Sequence, residues 1–317
     1  MPAISASAPG KIILFGEHAV VYNQPAIAVP VLQVRAKAIL TANPRGRSGS
    51  VHIQAPAIGL ESDLEALPDR HPLAAAIRAT LRALNLQQIP ACNIRITSTI
   101  PVAAGLGSGA AVSVALVRGL SNFLGKPLDD EVVSGIAYEV EKIHHGTPSG
   151  VDNTVITSAM PVFFVRDQPI ERLHVPQPFT IVIGDTGIRS PTAITVADVW
   201  RGWEVKPAAY EQIFQAIGEI ARCAREAIEN GKPDALGGLM GTNHSYLQKL
   251  DVSSPHLDSL VIAAHNAGAL GAKLSGGGRG GNMIALSLPG NGANIAEVLT
   301  KAGATRTIIT EVKQRAI

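Results

Sequence analysis

The sequence predicts an α+β protein of two domains, on three observations. At 317 residues the chain is long enough for two domains with ample cores. Its first half carries a strand, a glycine-rich turn and a helix start in direct succession, and its second half alternates helices with strands that suit an antiparallel sheet. Between them, residues 166–178 hold Pro169, Pro176 and Pro178, the texture of a boundary. The domains are therefore placed at 1–175 and 176–317.

Taken in order, 4–8, 12–15 and 26–41 read as strands, the last from the alternation of Val34, Ala36, Ala38 and Leu40 with their neighbours. Residues 43–49 are turn chemistry, expected to make a hairpin connection to a strand at 51–55. Pro72 sits at the start of a helix running to Leu84. Ile94 and Ile96 mark a half-buried strand at 92–100, and Val112, Ala115, Leu116 and Leu120 form one stripe of a helix at 111–124. Asp129 or Asp130 caps the next helix, whose expected buried face is Val132, Val133, Ile136, Ala137, Val140 and Ile143, and Pro148 forbids its continuation. Residues 151–157 and 162–165 read as strands. In the second half a strand at 179–184 precedes helices from Thr192, Ala208, Pro233 and Pro255. Strands at 272–275, 283–288 and 305–312, with a helix from Ala293, complete the chain.

Composition excludes several classes of function. Hydrophobic residues make up 46% and charged residues 16%, which is a globular balance. A formal net charge of +2, with aromatics at 4% and no basic cluster, gives no reason to expect nucleic acid or an anionic membrane. Cys92 and Cys223 form no C-x-x-C pair, suit a reducing cytoplasm, and are expected to be buried small hydrophobes. The N-terminus lacks the basic and apolar regions of a secretory signal. The long uncharged run 96–117 contains Pro101 and several glycines, so a turn explains it better than a bilayer span. The expectation is a cytoplasmic protein.

The chemistry is organised around Pro101, Ala104, Gly105, Leu106, Gly107, Ser108, Gly109, Ala110 and Ala111. Glycines let backbone approach a ligand, and a helix N-terminus offers unpaired N–H groups and a favourable dipole for an anion. Phosphate suits such a place. Gly105-x-Gly107-x-x-Ala110 also fits the dinucleotide fingerprint formally, but four residues separate the strand from the first glycine and no βαβ repeat precedes it. The Walker pattern is absent.

Three further clusters accompany this loop. Pro9-Gly10-Lys11 precedes an apolar strand that ends in Gly16-Glu17-His18-Ala19-Val20-Val21-Tyr22. The segment Glu141 to Asn153 contains His144, His145, Gly146, Thr147, Pro148 and Asp152. Adjacent histidines at a helix end point apart, which speaks against a structural zinc site. Glu141 lies at the edge of the apolar stripe, where periodicity does not separate it from Glu139. Last comes Lys273-Leu274-Ser275-Gly276-Gly277-Gly278-Arg279-Gly280-Gly281, a second glycine loop between strands.

Three of these clusters, in this order and at these separations, resemble the motifs of the GHMP small-molecule kinases (galacto-, homoserine, mevalonate and phosphomevalonate kinases). The Gly-Glu-His continuation and the run 145–153 resemble the mevalonate kinase branch, and the likeness spans essentially the whole chain. The resemblance implies a ribosomal-protein-S5-domain-2-like N-terminal part and a ferredoxin-like α+β C-terminal part. It implies ATP-dependent phosphorylation of the primary hydroxyl of mevalonate, with Mg²⁺ as cofactor and homodimerisation as a family-level expectation.

By position, the loop residues above would hold the ATP phosphates. Asp152 would take the proton from the hydroxyl and Lys11 would assist beside it. Glu141 and Ser108 would serve the metal. The substrate would meet Lys11, Glu17, His18, Asp152, Thr186, Arg189, Ser275 and Gly276. Phosphoryl transfer asks for this set, because positioning and charge neutralisation matter more than covalent help. The chain departs from the family pattern at Gly109, where a second serine hydroxyl is usual. Three substitutes stand open: Ser108 turning to the metal, a water, or reliance on Glu141 and the phosphates. Gly277 stands where alanine is usual, and Arg279 adds a cation that either touches phosphate or lies in solvent.

Overall fold

The computed structural model describes residues 3–101, 104–145 and 148–314, with the side chains of His144 and His145 outside the described set. In chain order the elements are β1 (Ile4–Phe15), β2 (Ala26–Ala42), β3 (Val51–Ala55), β4 (Leu60–Asp63), α1 (Pro72–Ala83), β5 (Cys92–Ser98), α2 (Ser108–Phe123), α3 (Asp130–His145) and α4 (Val151–Ser158). They continue with β6 (Val162–Phe164), β7 (Glu171–Arg172), β8 (Phe179–Asp185), α5 (Thr192–Val205), α6 (Pro207–Glu229), α7 (Leu236–Lys249), α8 (Pro255–Asn266), β9 (Gly271–Ser275), β10 (Asn282–Ser287), α9 (Gly292–Lys301) and β11 (Arg306–Val312). No helix among the described residues is long and apolar enough to cross a membrane.

Two compact units form, and neither is continuous in sequence. The first comprises 1–10, 34–101 and 107–159; the second comprises 11–33, 102–106 and 160–317. The long strands β1 and β2 each contribute residues to both, which is why the units do not follow a single cut at 175/176.

In the first unit the strand order is β4-β3-β5-β2. Antiparallel pairing sets Ala36 opposite Ser98 and Ala42 opposite Cys92, while β3 runs parallel to β5. Residues 43–49 therefore do not close a hairpin: β5 takes the place beside β2, and the turn only redirects the chain. Leu40, Ile53, Ile77, Ile94, Val114 and Leu116 fill this unit's core. Helix α2 begins at Ser108, three residues earlier than periodicity suggests, because Gly107 adopts φ +71° and frees the next N–H groups to start the turn.

In α3 the buried face is narrower than expected. Val133, Ile136, Ala137 and Val140 are buried, but Val132 and Ile143 stand well exposed, one position off that stripe. Residues 151–157 are not a strand but the helix α4. Their β-branched content suggests extension, yet nearly every residue is buried and the Thr154 hydroxyl donates to the Gly150 carbonyl one turn back. Packing overrides propensity here. Cys92 is buried as expected, whereas Cys223 lies exposed on α6, off the stripe of Phe214, Ile217, Ala221, Ala224 and Ile228.

The second unit is built on the antiparallel order β11-β8-β10-β9. Numbered within that sheet alone, the order is 4-1-3-2, with helices between the first and second and the third and fourth strands. That is the ferredoxin-like arrangement. Phe214, Ile217, Leu247, Leu257, Leu260, Leu274, Met283, Ile295 and Leu299 pack its helices on the sheet. Within the same unit, residues 26–28 of β2 pair with β6, and β6 with β7.

Candidate active site

In the second unit the end of β1 and the glycine loop after β9 are tied together. Gly16 takes φ +96°, and a side chain there would meet Pro25 and Ala26, so only glycine turns the chain at this point. The next residue, Glu17, forms an ion pair with Lys273 in which both side chains are wholly buried. Lys273 Nζ donates to Glu17 Oε1 and also to the Leu274 carbonyl at 2.7 Å, while Glu17 Oε2 is buried without a hydrogen-bond partner. Burial pushes the Glu17 carboxyl up and the Lys273 amine down, each opposed by the other's charge.

His18 is buried, with φ +61°, and its Nε2 donates to the Gly277 carbonyl at 3.0 Å. Burial pushes this imidazole down to about 4, so it is neutral at physiological pH and acts as a fixed donor. The Ser275 hydroxyl donates to the Ile13 carbonyl at 2.7 Å. Gly276 follows it with φ +89°. Thr186 is buried and donates from both its backbone N–H and its hydroxyl to the Gly281 carbonyl, at 2.9 and 3.0 Å. Arg189, three residues on, is exposed.

Arg279 does not stand free in solvent. Its guanidinium pairs with Asp198 of α5 and with Asp251 after α7, and its Nε donates to the Asp251 carbonyl at 3.0 Å. Those bonds hold the glycine loop to its own unit.

Part of the first glycine loop is held there as well. The Lys11 N–H donates to the Leu106 carbonyl at 3.0 Å, and Asn282 Nδ2 donates to the Ala104 carbonyl. Lys11 is buried. Val102 and Ala103 lie outside the described residues, as do Gly146 and Thr147.

In the first unit, Ser108, Gly109 and Ala110 open α2, so their N–H groups are those a helix leaves unpaired. Glu141, on α3, is 5% exposed although Glu139 beside it is solvated and paired with Lys142. Glu141 Oε1 stands 2.8 Å from where a Cβ at Gly109 would be. Asp152 lies in the first turn of α4, not in a loop, where the helix dipole favours a negative charge. Asn153 Nδ2 donates to the Ser134 hydroxyl at 2.8 Å and fixes that turn on α3.

No group of three or more His, Cys, Asp or Glu suited to a metal occurs among the described residues. Mg²⁺ does not need one. It binds through one or two carboxylates together with substrate phosphates and waters. A buried carboxylate against the first turn of a helix that can hold phosphate, with the Ser108 hydroxyl at the same turn, fits that requirement.

Sequence reasoning quoted Lys273 without giving it a role. Its signal was present: a lysine inside a strand whose five residues are all buried needs a counter-charge.

A glycine loop opening a helix, a buried ion pair on the strand that leads into a second glycine loop, and a ferredoxin-like sheet suit a small-molecule kinase. Comparison with known proteins agrees. The model for the GHMP kinases N-terminal domain matches residues 72–159 and that for the GHMP kinases C-terminal domain matches 224–305. The chain belongs to the GHMP kinase family. Among its members it is similar to mevalonate kinases. That of Pyrococcus furiosus is 36% identical over 329 residues, covering 99% of this chain and 97% of the relative. The crystal structure of L. major mevalonate kinase in complex with R-mevalonate superposes with a TM-score of 0.84 at 31% identity, covering 99% of this chain and 97% of that one. Streptococcus pneumoniae phosphomevalonate kinase in complex with phosphomevalonate and AMPPNP shares the fold alone, at 18% identity and a TM-score of 0.81, covering 97% of this chain and 100% of that one.

Proposed function

We infer that this chain transfers the γ-phosphoryl group of ATP to the primary (5-)hydroxyl of mevalonate, giving 5-phosphomevalonate for isoprenoid synthesis. The observation that carries this is near-complete coverage by mevalonate kinases at 36% identity, against 18% for the structure with phosphomevalonate.

In the reaction the bond from the γ-phosphorus to the β–γ bridging oxygen breaks and a bond to the 5-oxygen forms. The hydroxyl proton passes to Asp152, and ADP leaves. The N–H groups of Ser108, Gly109 and Ala110 and the backbone of Pro101 and Ala104 to Gly107 cradle the phosphates, with Ala111, whose N–H donates to the Gly107 carbonyl at 2.9 Å, closing the turn behind them. Lys11 offsets charge at the phosphoryl group. Glu17, His18, Thr186, Arg189, Ser275 and Gly276 form the substrate side; the neutral His18 commits its one N–H to the Gly277 carbonyl, which leaves Nδ1 as an acceptor for a substrate hydroxyl. Glu141 and Ser108 would hold Mg²⁺, which would neutralise phosphate charge. A cytoplasmic homodimer that engages neither membrane nor nucleic acid, divided functionally at 175/176, belongs to the same reading.

The test is ADP release with Mg²⁺, ATP and, in parallel, mevalonate, phosphomevalonate, galactose and homoserine, followed by phosphorus NMR of the product. Release with mevalonate alone and a 5-phosphate product support the reading. Release with another acceptor overturns the substrate, and phosphate on the 3-oxygen overturns the regiochemistry.

A further inference from the structure

Asn282 opens β10, the strand between β8 and β9, and is 1% exposed. Its backbone is fixed on both sides, opposite Asp185 of β8 and Ser275 of β9. Asparagine is disfavoured in strands and a buried amide is costly without partners, so the residue needs a task that apolar packing does not supply. Its Nδ2 donates to the Ala104 carbonyl, 178 residues earlier in the first glycine loop. The amide orientation is forced, because turning it over would set its oxygen against the carbonyl oxygen.

What that bond fixes is a peptide plane. In a trans peptide the carbonyl and the N–H of the following residue point in opposite directions. Holding the Ala104 carbonyl toward Asn282 therefore sends the Gly105 N–H the other way. Ala104 and Leu106 are buried, whereas Gly105 between them is exposed with φ +75°. An N–H presented at such a turn is what an anion meets. We propose that Asn282 is a positioning residue for the nucleotide: by holding the Ala104 carbonyl inward, it aims the Gly105 N–H at the ATP phosphates. This rests on the reading that the loop 104–111 holds those phosphates. The Lys11 N–H pins the Leu106 carbonyl in the same loop, but from the main chain. Asn282 holds its carbonyl with a side chain, which substitution can remove.

The geometry also says which part of the nucleotide is affected. Without the Asn282 donor the Ala104 carbonyl is buried and unpaired, so its peptide plane turns toward another partner and carries the Gly105 N–H with it. The loss falls on the phosphates and spares the base and ribose. Asn282→Leu keeps the shape of the side chain and removes the donor. Asn282→Ala serves if the leucine variant does not fold.

The experiment is isothermal titration calorimetry, without metal, of ADP and of adenosine into the wild type, the two Asn282 variants and Gly105→Ala. Circular dichroism melting checks that each is folded. Gly105→Ala disturbs the N–H directly, since a side chain is disfavoured at φ +75°. The expected result in Asn282→Leu is ADP affinity weaker by about 10-fold, the weight of one ordinary hydrogen bond, with adenosine affinity unchanged. Gly105→Ala shows the same selective loss. Equal losses for ADP and adenosine in the Asn282 variants make the residue a structural support alone and overturn the inference. ADP affinity kept in the Asn282 variants but lost in Gly105→Ala overturns the inference and leaves the phosphate reading standing. ADP affinity kept in every variant overturns that reading, and the inference with it.

Discussion

Lys273 and Glu17, 256 residues apart, form an ion pair that no solvent reaches. It joins the Gly-Glu-His turn to the strand that launches the last glycine loop. Two charges out of water are costly to hold, and the pair offsets that cost only while both partners remain. Lys273→Met should therefore destabilise the protein by about 3–5 kcal/mol, because it leaves the Glu17 carboxylate buried without its cation. Adding Glu17→Leu should recover much of the loss. Chemical denaturation of both single variants and the double variant checks this. A loss in the double variant equal to the sum of the two single losses would mean that the pair is not coupled.

His18 gives the fold a pH dependence of known sign. Its imidazole titrates at about 4 when folded against an ordinary 6.5, first because it is buried. Between those values the unfolded chain holds a proton on this ring and the folded chain does not. The contribution is full above about pH 6.5 and is lost as pH falls toward 4, to the extent of about 3 kcal/mol. Other groups titrate in the same range, so the measurement is a difference. Denaturation midpoints of wild type and His18→Gln, followed from pH 7 to 4.5, should converge as the pH falls. A constant separation would remove His18 as the source.

What was legible in the sequence follows from how local each cause is. The glycine loop at 105–111 and the Gly-Glu-His turn are written in contiguous residues, so spacing and backbone requirements expose them. The 4-1-3-2 sheet was legible as strands and helices, since each alternates on its own period. The β-branched run 151–157 misled, because its helix depends on burial from all sides and on a Thr154 bond to Gly150. Glu141 differs from Glu139 only in which side of α3 faces α2, a fact of packing and not of period. Lys273 could be flagged as buried, but nothing local to residue 273 names Glu17 as its partner.

Asp152 is the proposed proton acceptor, and its place in the first turn of α4 lies outside the glycine loop 105–111. Asp152→Asn keeps the size and the position while removing the base. It should lower kcat by about 10²- to 10⁴-fold. Nucleotide affinity should hold, measured by titrating ADP into both proteins. Turnover close to that of wild type would remove Asp152 from the mechanism.

Arg279 tests whether the second glycine loop touches nucleotide. Its guanidinium is engaged by Asp198 and Asp251, and its backbone N–H donates to the Val252 carbonyl at 2.7 Å. The side chain is about one-third exposed, so solvent screens these pairs and Arg279→Gln should cost about 1 kcal/mol or less in stability. Were Arg279 a phosphate ligand, its loss would raise the KM for ATP strongly, since a charged group paired with phosphate binds more tightly than a neutral one. As a tie within its own unit it should leave that KM within about twofold, the range of substitutions away from a site. The KM for mevalonate is the parameter expected to move, because Arg279 anchors the loop whose Gly277 carbonyl accepts from His18. Steady-state kinetics with each substrate varied in turn separates the two, and a rise confined to ATP would return Arg279 to the phosphates.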